Sequence, residues 1–455
     1  MSVREHLDCR RLLAAGLGVL AFVAAPLVAQ ESEGQGQEQP APAQEQPRVQ
    51  PTVSQPVGER LNALNVCMEE EEDPQCALEI IEQIQRMRNL TSFEMATVWN
   101  YQAFIYYDLD NVEGAMEAYG NILGLPREEL TENQVQNAMR NLAVLHLDQE
   151  NYEEGLDLYL EWMALPVVVP TLTPGDYFML ASIYYSLDQY EEGIPPVERA
   201  ISMAAENGEI GDEAWYVMLY YFQYQLQRMD DAFATIHILV EHYTKKQHVL
   251  TLAGMLSERE RHNDTLTLYE AAYGVDWLSG LQKVQLANLY LSVQTPIKAA
   301  HVLDEGLADG SIEPTWQNYR LLAQSWQNAQ EHRRAIPAFE RASELAEDGT
   351  VDQLLAQSYE RLAEYEDCAV AAERALDRGG LTGADYVHML LGQCLLQLER
   401  FDDARAAFQE AARLGNESRQ RDARRFIGYI ADEVERIQYN AERRAGLRTR
   451  ADLED

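Results

Sequence analysis

The stretch ADYVHMLLGQCLLQLERFDDARAAFQEAARLG, residues 384–415, decides the fold. Leu391, Leu395, Phe401 and Phe408 stand at spacings that put large residues on one stripe of two short helices, while Gly392, Ala404 and Ala411 put small residues where those helices would touch. Small residues let two helix axes approach to roughly 8–10 Å, and the phenylalanines fill the groove beside them. The stretch predicts a helical hairpin. A hairpin this short cannot bury its own apolar face, so it requires neighbours of its own kind.

The same phase runs backward through the chain. The small position of Ala404 recurs at Cys368, Ala335, Ala299, Thr265, Ala232, Gly193, Gly155 and Ala115, with Ala77 as a weaker first member. That of Gly392 recurs at Ala356, Ala323, Ala287, Ala253, Ala181, Ala143 and Ala103, and aromatic residues such as Tyr359, Trp326, Tyr290, Tyr184 and Tyr106 take the place of Leu395. Steps of 33 to 40 residues separate the members, so ten hairpins fit the stretch 58–415. After Gly415 the pattern changes to an Arg-rich segment with Phe426, Ile427, Ile430, Val434 and Ile437 at helical spacing, which reads as a capping helix and tail over 416–455. Between hairpins, Pro166, Pro170 and Pro174 predict a loop over Leu165–Gly175 around Val167–Val169.

This period and residue order resemble the tetratricopeptide repeat, a helix-turn-helix unit of about 34 residues. The resemblance implies an all-α fold, a tetratricopeptide-type α-solenoid wound as a right-handed superhelix. It also implies that the first helices of the hairpins line a concave binding groove. In that phase the groove positions include Phe104 and Tyr107, Tyr185, and Tyr221 and Tyr224 in the first half, then Asn288, Gln324 and Gln327 in the second. The groove is thus aromatic first and amide-rich later. Rings with a polar tip suit a protein or peptide segment as partner; packing between hairpins is the alternative reading for any one tyrosine. A basic clamp for a terminal carboxylate is not expected, because Val284 stands where its lysine would be.

The ends and the charge place the chain in a compartment. Residues 1–29 have Arg4, Arg10 and Arg11 ahead of an apolar run from Leu12 to Val28, which reads as an export signal cut after Ala29, with an uncut membrane anchor as the alternative. Residues 30–57 are rich in Gln, Glu and Pro and read as a disordered tether. The formal charge is −39, from 36 basic and 75 acidic residues, which opposes nucleic acid and acidic membrane surfaces and favours solubility or a basic partner. Cys67 and Cys76 bracket an acidic turn and suggest a disulfide across a hairpin in an exported protein. Cys368 and Cys394 fall at apolar helix positions and are expected as buried free thiols.

Catalytic constellations are missing. The chain has no Gly-rich phosphate loop, no G-x-S-x-G elbow and no H-E-x-x-H helix. His237, His242 and His248 are spaced five and six apart, which does not bring imidazoles onto one helix face, so neither a metal nor another cofactor is expected. Acid pairs such as Asp230–Asp231 and Asp402–Asp403 precede second helices, where they favour the positive N-terminus.

A closer likeness lies between Trp215 and Leu278. The run WYVMLYYFQYQLQRMDDAFATIHILVEHYTKKQHVLTLAGMLSERERHNDTLTLYEAAY, with flanks LTPGDYFMLASIYYSLDQYEEGIPPVERAI and LANLYLSVQTPIKAAHVLDEGL, resembles exported bacterial tetratricopeptide proteins encoded with TonB, ExbB and ExbD components. The resemblance implies a non-catalytic periplasmic scaffold, an accessory of that energy-transduction complex for outer-membrane transport, associated with the membrane through its partners. An adaptor for envelope or cell-wall assembly is the next reading. A hydrolase with its site in the groove is the weakest.

Overall fold

The computed structural model describes residues 51–69 and 73–451, with side chains to 444. The expected export signal, the tether up to residue 50 and Glu70–Glu72 of the acidic turn lie outside the described residues. Regular structure among the described residues is entirely helical, with 21 α-helices and two short 3-10 turns. They form two units, which divide after Thr244.

The first unit holds α1 (Gln55–Glu69) and α2 (Pro74–Gln85), α3 (Ser92–Asp108) and α4 (Val112–Leu123), α5 (Glu132–Asp148) and α6 (Tyr152–Met163), α7 (Pro174–Ser186) and α8 (Tyr190–Glu206), and α9 (Glu213–Gln225) and α10 (Met229–His242). The second holds α11 (Lys246–Glu258) and α12 (His262–Gly274), α13 (Gly280–Ser292) and α14 (Pro296–Ala308), α15 (Trp316–Asn328) and α16 (His332–Leu345), α17 (Thr350–Arg361) and α18 (Tyr365–Arg378), α19 (Ala384–Gln397) and α20 (Phe401–Leu414), and finally α21 (Glu417–Ala451). Each unit is a stack of five hairpins, and the fold is an all-α tetratricopeptide-type solenoid.

Local chemistry fixes the start and end of the first helices. Thr91, Thr131, Thr173 and Ser279 each accept a hydrogen bond from the backbone N–H three residues on, and the side chains of Glu94, Gln134, Asp176 and Gln282 accept one from the cap backbone in return. Each first helix from α3 onward then runs into a tight turn through one left-handed residue, seven positions after the small residue of its helix, except in α9, where Tyr220 holds that position. These residues are Asp110, Glu150, Asp188 and Gln227 in the first unit and Glu260, Gln294, Gln330, Ala363 and Glu399 in the second, with φ between 56° and 62°. None is glycine.

Packing explains the small positions. A Cβ on Gly392 would lie 2.7 Å from the ring of Phe408, and one on Gly193 would lie 2.5 Å from the ring of Phe222. Both rings are fully buried. The first contact closes the hairpin α19/α20, and the second seats a ring of one hairpin on the small position of the hairpin before it. In the second unit α21 lies over the last hairpin: Ala423 and Ile430 are fully buried, and Phe426 stacks on Phe408 with centroids 4.8 Å apart and planes at 5°. From Glu435 to Arg444 every residue of α21 is exposed, so the helix runs on past the face it covers.

Three expectations change. Cys368 and Cys394 are not free thiols: they form a disulfide between α18 and α19, because the small position of one hairpin faces the first helix of the next and the two Cα atoms come within 6.2 Å. Cys67 and Cys76 are also joined, linking α1 to α2. The tether gives way to structure before Val57: Val57 is fully buried in α1, and the Ser54 backbone N–H donates to Glu94 Oε1 on α3 at 2.8 Å. The proline loop is shorter than expected, because Pro174 begins α7 and a 3-10 turn occupies Val169–Thr171. Its valines split, with Val168 buried and Val169 exposed.

Charge also enters the core of the second unit. Asp352 on α17 is fully buried and accepts hydrogen bonds from Arg374 Nε at 2.6 Å, Arg378 Nη1 at 3.0 Å and Ser343 Oγ at 2.6 Å. One carboxylate thereby ties α16, α17 and α18, and two arginines with a hydroxyl satisfy it, as a buried charge requires.

Candidate functional site

The residues expected to line the groove fall into two groups. In the first unit, Tyr221 on α9 is only 8% exposed and meets Tyr185 edge-on at 5.3 Å and Tyr190 edge-on at 5.6 Å. Tyr221 is therefore a packing residue between hairpins and not a groove residue, since its ring faces are covered. Tyr185, half-buried, belongs to the same cluster with Phe222. Tyr224, one turn further along α9, is 45% exposed and stacks on Tyr220 with centroids 6.0 Å apart. Phe104 and Tyr107 on α3 are half-buried. Of the five rings, Tyr224 is the exposed one, and it and Tyr107 lie near the turn end of their helices.

Carboxylates surround these rings. The Tyr107 phenol is pushed above its ordinary pKa by partial burial and by Asp148 and Asp110 nearby. Tyr184 is shifted upward by burial and by Glu192. Tyr190 donates its hydroxyl to Asp188. The acids of this edge differ in their structural value. Glu113, Glu153, Glu154, Glu191, Glu192, Asp230 and Asp231 sit in the first turns of second helices, where the helix dipole favours them. Asp108 and Asp148 instead form the last residues of α3 and α5, where the dipole opposes an anion by about 0.3–1 kcal/mol at an exposed site. Fold stability does not account for them.

In the second unit, Asn288 on α13 is exposed, and its Nδ2 donates to the Val284 carbonyl of its own helix at 3.1 Å. Gln324 and Gln327 on α15 are half-buried, and Gln327 Nε2 donates to Ser358 Oγ on α17 at 3.3 Å, joining two hairpins. The structure adds a groove of about 690 Å³ between α19, α20 and α21, lined by Met389, Gln393, Gln397, Phe401, Arg419 and Tyr429 among others. Gln393 directly follows the small Gly392, so the same phase that picks out Gln324 points to it two hairpins further on. The amide character continues through α19. Tyr429 comes from α21, whose register no hairpin position predicts.

His237 lies edge-on to Phe233 at 4.7 Å, a packing contact. Among the described residues no group of three His, Cys, Asp or Glu is placed to hold a metal ion. No described helix is long and apolar enough to cross a membrane.

Tetratricopeptide repeat families match residues 354–419, which run from α17 into α21, and residues 177–207, which cover most of α7 and α8. No curated protein sequence matches the chain. Among solved structures, the chain is similar to MamA, at 16% identity over 37% of this chain and 90% of that one, with a TM-score of 0.33. It is similar to a tetratricopeptide repeat protein from Parabacteroides merdae, at 17% identity over 58% and 99% of the two chains, with a TM-score of 0.32. It is similar also to YrrB, described as a TPR protein with an unusual peptide-binding site, at 14% identity over 43% and 98%, with a TM-score of 0.36.

Proposed function

We propose that this protein is a non-catalytic interaction scaffold that holds a segment of a partner protein against its first helices. We propose further that it works in the periplasm as an accessory of a TonB–ExbB–ExbD energy-transduction system. The observation that carries the scaffold reading is the pair Tyr220 and Tyr224. Two stacked rings, the outer one 45% exposed, offer an amphipathic contact face at the end of α9. The stretch 215–278, which resembles tetratricopeptide proteins encoded with TonB components, contains both rings.

Compartment and partner rest on separate support. Two disulfides are the usage of an oxidising space such as the periplasm, since reducing compartments keep thiols free. The Arg-flanked apolar run before Ala29 agrees with export. Cross-linking in cells from a photo-reactive residue at position 224, followed by identification of what is caught, tests the reading. Recovery of TonB, ExbB or ExbD components is expected. Recovery of cell-wall or envelope-assembly proteins instead would move the protein to the adaptor reading, and no partner at all would remove the scaffold.

A further inference from the structure

We infer that the first unit takes a cationic extended segment, a polypeptide run rich in lysine or arginine, laid along the turn edge of α3–α10 past the half-buried ring of Tyr107 and across the exposed ring of Tyr224. This names the partner class for the scaffold proposed above and rests on that reading.

Charge is distributed unevenly between the units. Residues 51–244 contain 34 Asp and Glu against 7 Arg and no Lys, a net of −27, whereas residues 245–455 contain 35 acids against 25 bases, a net of −10. The contrast is sharpest in the turns that join first helix to second. Across residues 108–114, 148–154, 186–192 and 225–231 of the first unit, Arg228 is the single base, and it is paired with Glu191. Every equivalent turn of the second unit carries at least one base, for example Arg259, Lys298, Arg333, Arg361 and Arg400.

Helix stability explains acids only at the starts of the second helices. Asp108 and Asp148 close first helices, where the dipole disfavours them; in the second unit the corresponding end of α17 carries Arg361, as the dipole prefers, and that of α11 carries Glu258 followed by Arg259. Asp110 and Asp188 occupy left-handed turn positions, which Gln and Ala also occupy in other hairpins. Asp108 and Asp148 are thus placed against local stability, and helix stability accounts for only part of the turn acids of the first unit. They lie exposed beside Tyr107 and near the end of α9 that carries Tyr224. A carboxylate next to an accessible ring face is the chemistry that recognises an ammonium or guanidinium group, by ion pairing and by attraction to the ring.

The dimensions fit an extended chain. Four hairpins at roughly 10 Å each give an edge of about 30 Å between the first and last turn, which about nine extended residues would span at ~3.3 Å each.

The test uses the full chain and fluorescence anisotropy with a labelled 12-residue peptide alternating Lys and Ser, alongside its Glu–Ser counterpart. The Lys peptide should bind, should weaken at least tenfold between 50 and 200 mM salt, and should outcompete the Glu peptide at least a hundredfold. Neutralising Asp108→Asn, Asp110→Asn, Asp148→Asn and Glu150→Gln together should weaken binding tenfold or more; Asn and Gln keep the size of the originals, and Asn accepts a left-handed backbone readily. Tyr107→Ala with Tyr224→Ala should cost fivefold or more. A control with equal charge change on exposed sites of second helices, Glu117→Gln, Asp157→Asn, Glu161→Gln and Glu198→Gln, should stay within twofold, with circular dichroism confirming that all variants fold. The inference is overturned if the control weakens binding as much as the turn variant, which would mean diffuse attraction. It is equally overturned if the two peptides bind alike, or if the turn acids govern self-association of the chain at low salt instead of peptide binding. In the cellular cross-linking above, a partner caught by the first unit through a segment without a cationic run sinks this inference and leaves the scaffold standing; no partner from either unit sinks both.

Discussion

The disulfide between Cys368 and Cys394 makes a quantitative prediction about where this chain unfolds. The bridge spans a sequence separation of 26 residues and joins α18 to α19. Closing a loop of that size removes about 12 cal/mol/K of unfolded-chain entropy, or ~3.5 kcal/mol at 25 °C. Replacing both cysteines by alanine is mild for packing at position 368, because Ala115, Ala232, Ala299, Ala335 and Ala404 occupy the same place in other hairpins. At Cys394 it leaves the volume of one sulfur empty, adding on the order of 1 kcal/mol. In a stack where each hairpin touches only its neighbours, the loss is local. Amide exchange in α18–α21 should accelerate roughly 300-fold, the equivalent of the entropy figure at 1.4 kcal/mol per decade, while α1–α10 keep their protection. Reduction of the unmodified chain should produce the same pattern, with a separate and smaller change in α1 and α2 from Cys67–Cys76, whose separation is only 9 residues. Unchanged exchange in α18–α21 after both treatments would refute the bridge and with it one support for an oxidising compartment. Equal acceleration in both units would refute the local, stack-like account of stability.

Four further outcomes follow from single contacts. Gly349→Ala should destabilise the second unit by 2 kcal/mol or more, seen as a lower denaturant midpoint, because its Cβ would lie 2.0 Å from the Ala375 carbonyl oxygen and backbone meets backbone there. Ala363→Gly should stabilise by about 0.5–1 kcal/mol and raise the melting temperature: it relieves a left-handed alanine at φ 60° worth ~1–2 kcal/mol, less the extra freedom of glycine in the unfolded chain, ~0.5–1 kcal/mol. Phe408→Ala should cost about 3–5 kcal/mol, yet Gly392→Ala, which clashes with that ring at 2.7 Å, should become neutral or better in the same background, so a double-mutant cycle should show strong coupling. Glu94 is buried, which alone would raise its pKa, but hydrogen bonds from Ser54 and Thr91 outweigh burial and hold it below the ordinary glutamate value. Its stabilisation is therefore complete above about pH 4.3 and is lost as pH falls through the lowered value, so the protection of α1 amides relative to their intrinsic exchange rate should fall at pH 3.5 relative to pH 6, and Glu94→Gln should abolish that difference.

The phase of the hairpins is readable from sequence because the small positions answer to one demand, size. Ala103, Ala181, Ala287, Ala323 and Ala356 are all fully buried at the same place in their helices, where Tyr220 is the exception. Contacts between hairpins are harder to read, since they depend on which residue of the next repeat arrives opposite. Tyr221 and Tyr224 are one turn apart on one helix, and the neighbouring Tyr185 and Tyr190 decide that the first is covered. Cys368 and Cys394 look like two unrelated apolar positions until α18 and α19 are stacked. Asp352, Arg374 and Arg378 resemble ordinary surface charges on helices, because their satisfaction comes from three elements at once. The start of the folded part is obscured by composition: Gln55 and Pro56 continue a Gln- and Pro-rich run, although they already belong to α1.

The turn residues connect these two kinds of legibility. Nine hairpins pass through a left-handed residue at one fixed position, and that position accepts Asp, Glu, Gln and Ala alike. The backbone geometry is imposed by the helices on either side, which are held together at their small positions, so the penalty of a left-handed L-residue is met by packing elsewhere. A site whose conformation is set from outside leaves its side chain free of structural duty. The charge along the turn edge is then open to selection for contact with other molecules, and it differs between units of the same fold: Asp110, Glu150 and Asp188 continue into acid-only surroundings in the first, whereas Glu260, Ala363 and Glu399 have Arg259, Arg361 and Arg400 within three residues in the second. With the same architecture in both units, the distinction between them lies in the chemistry of that edge.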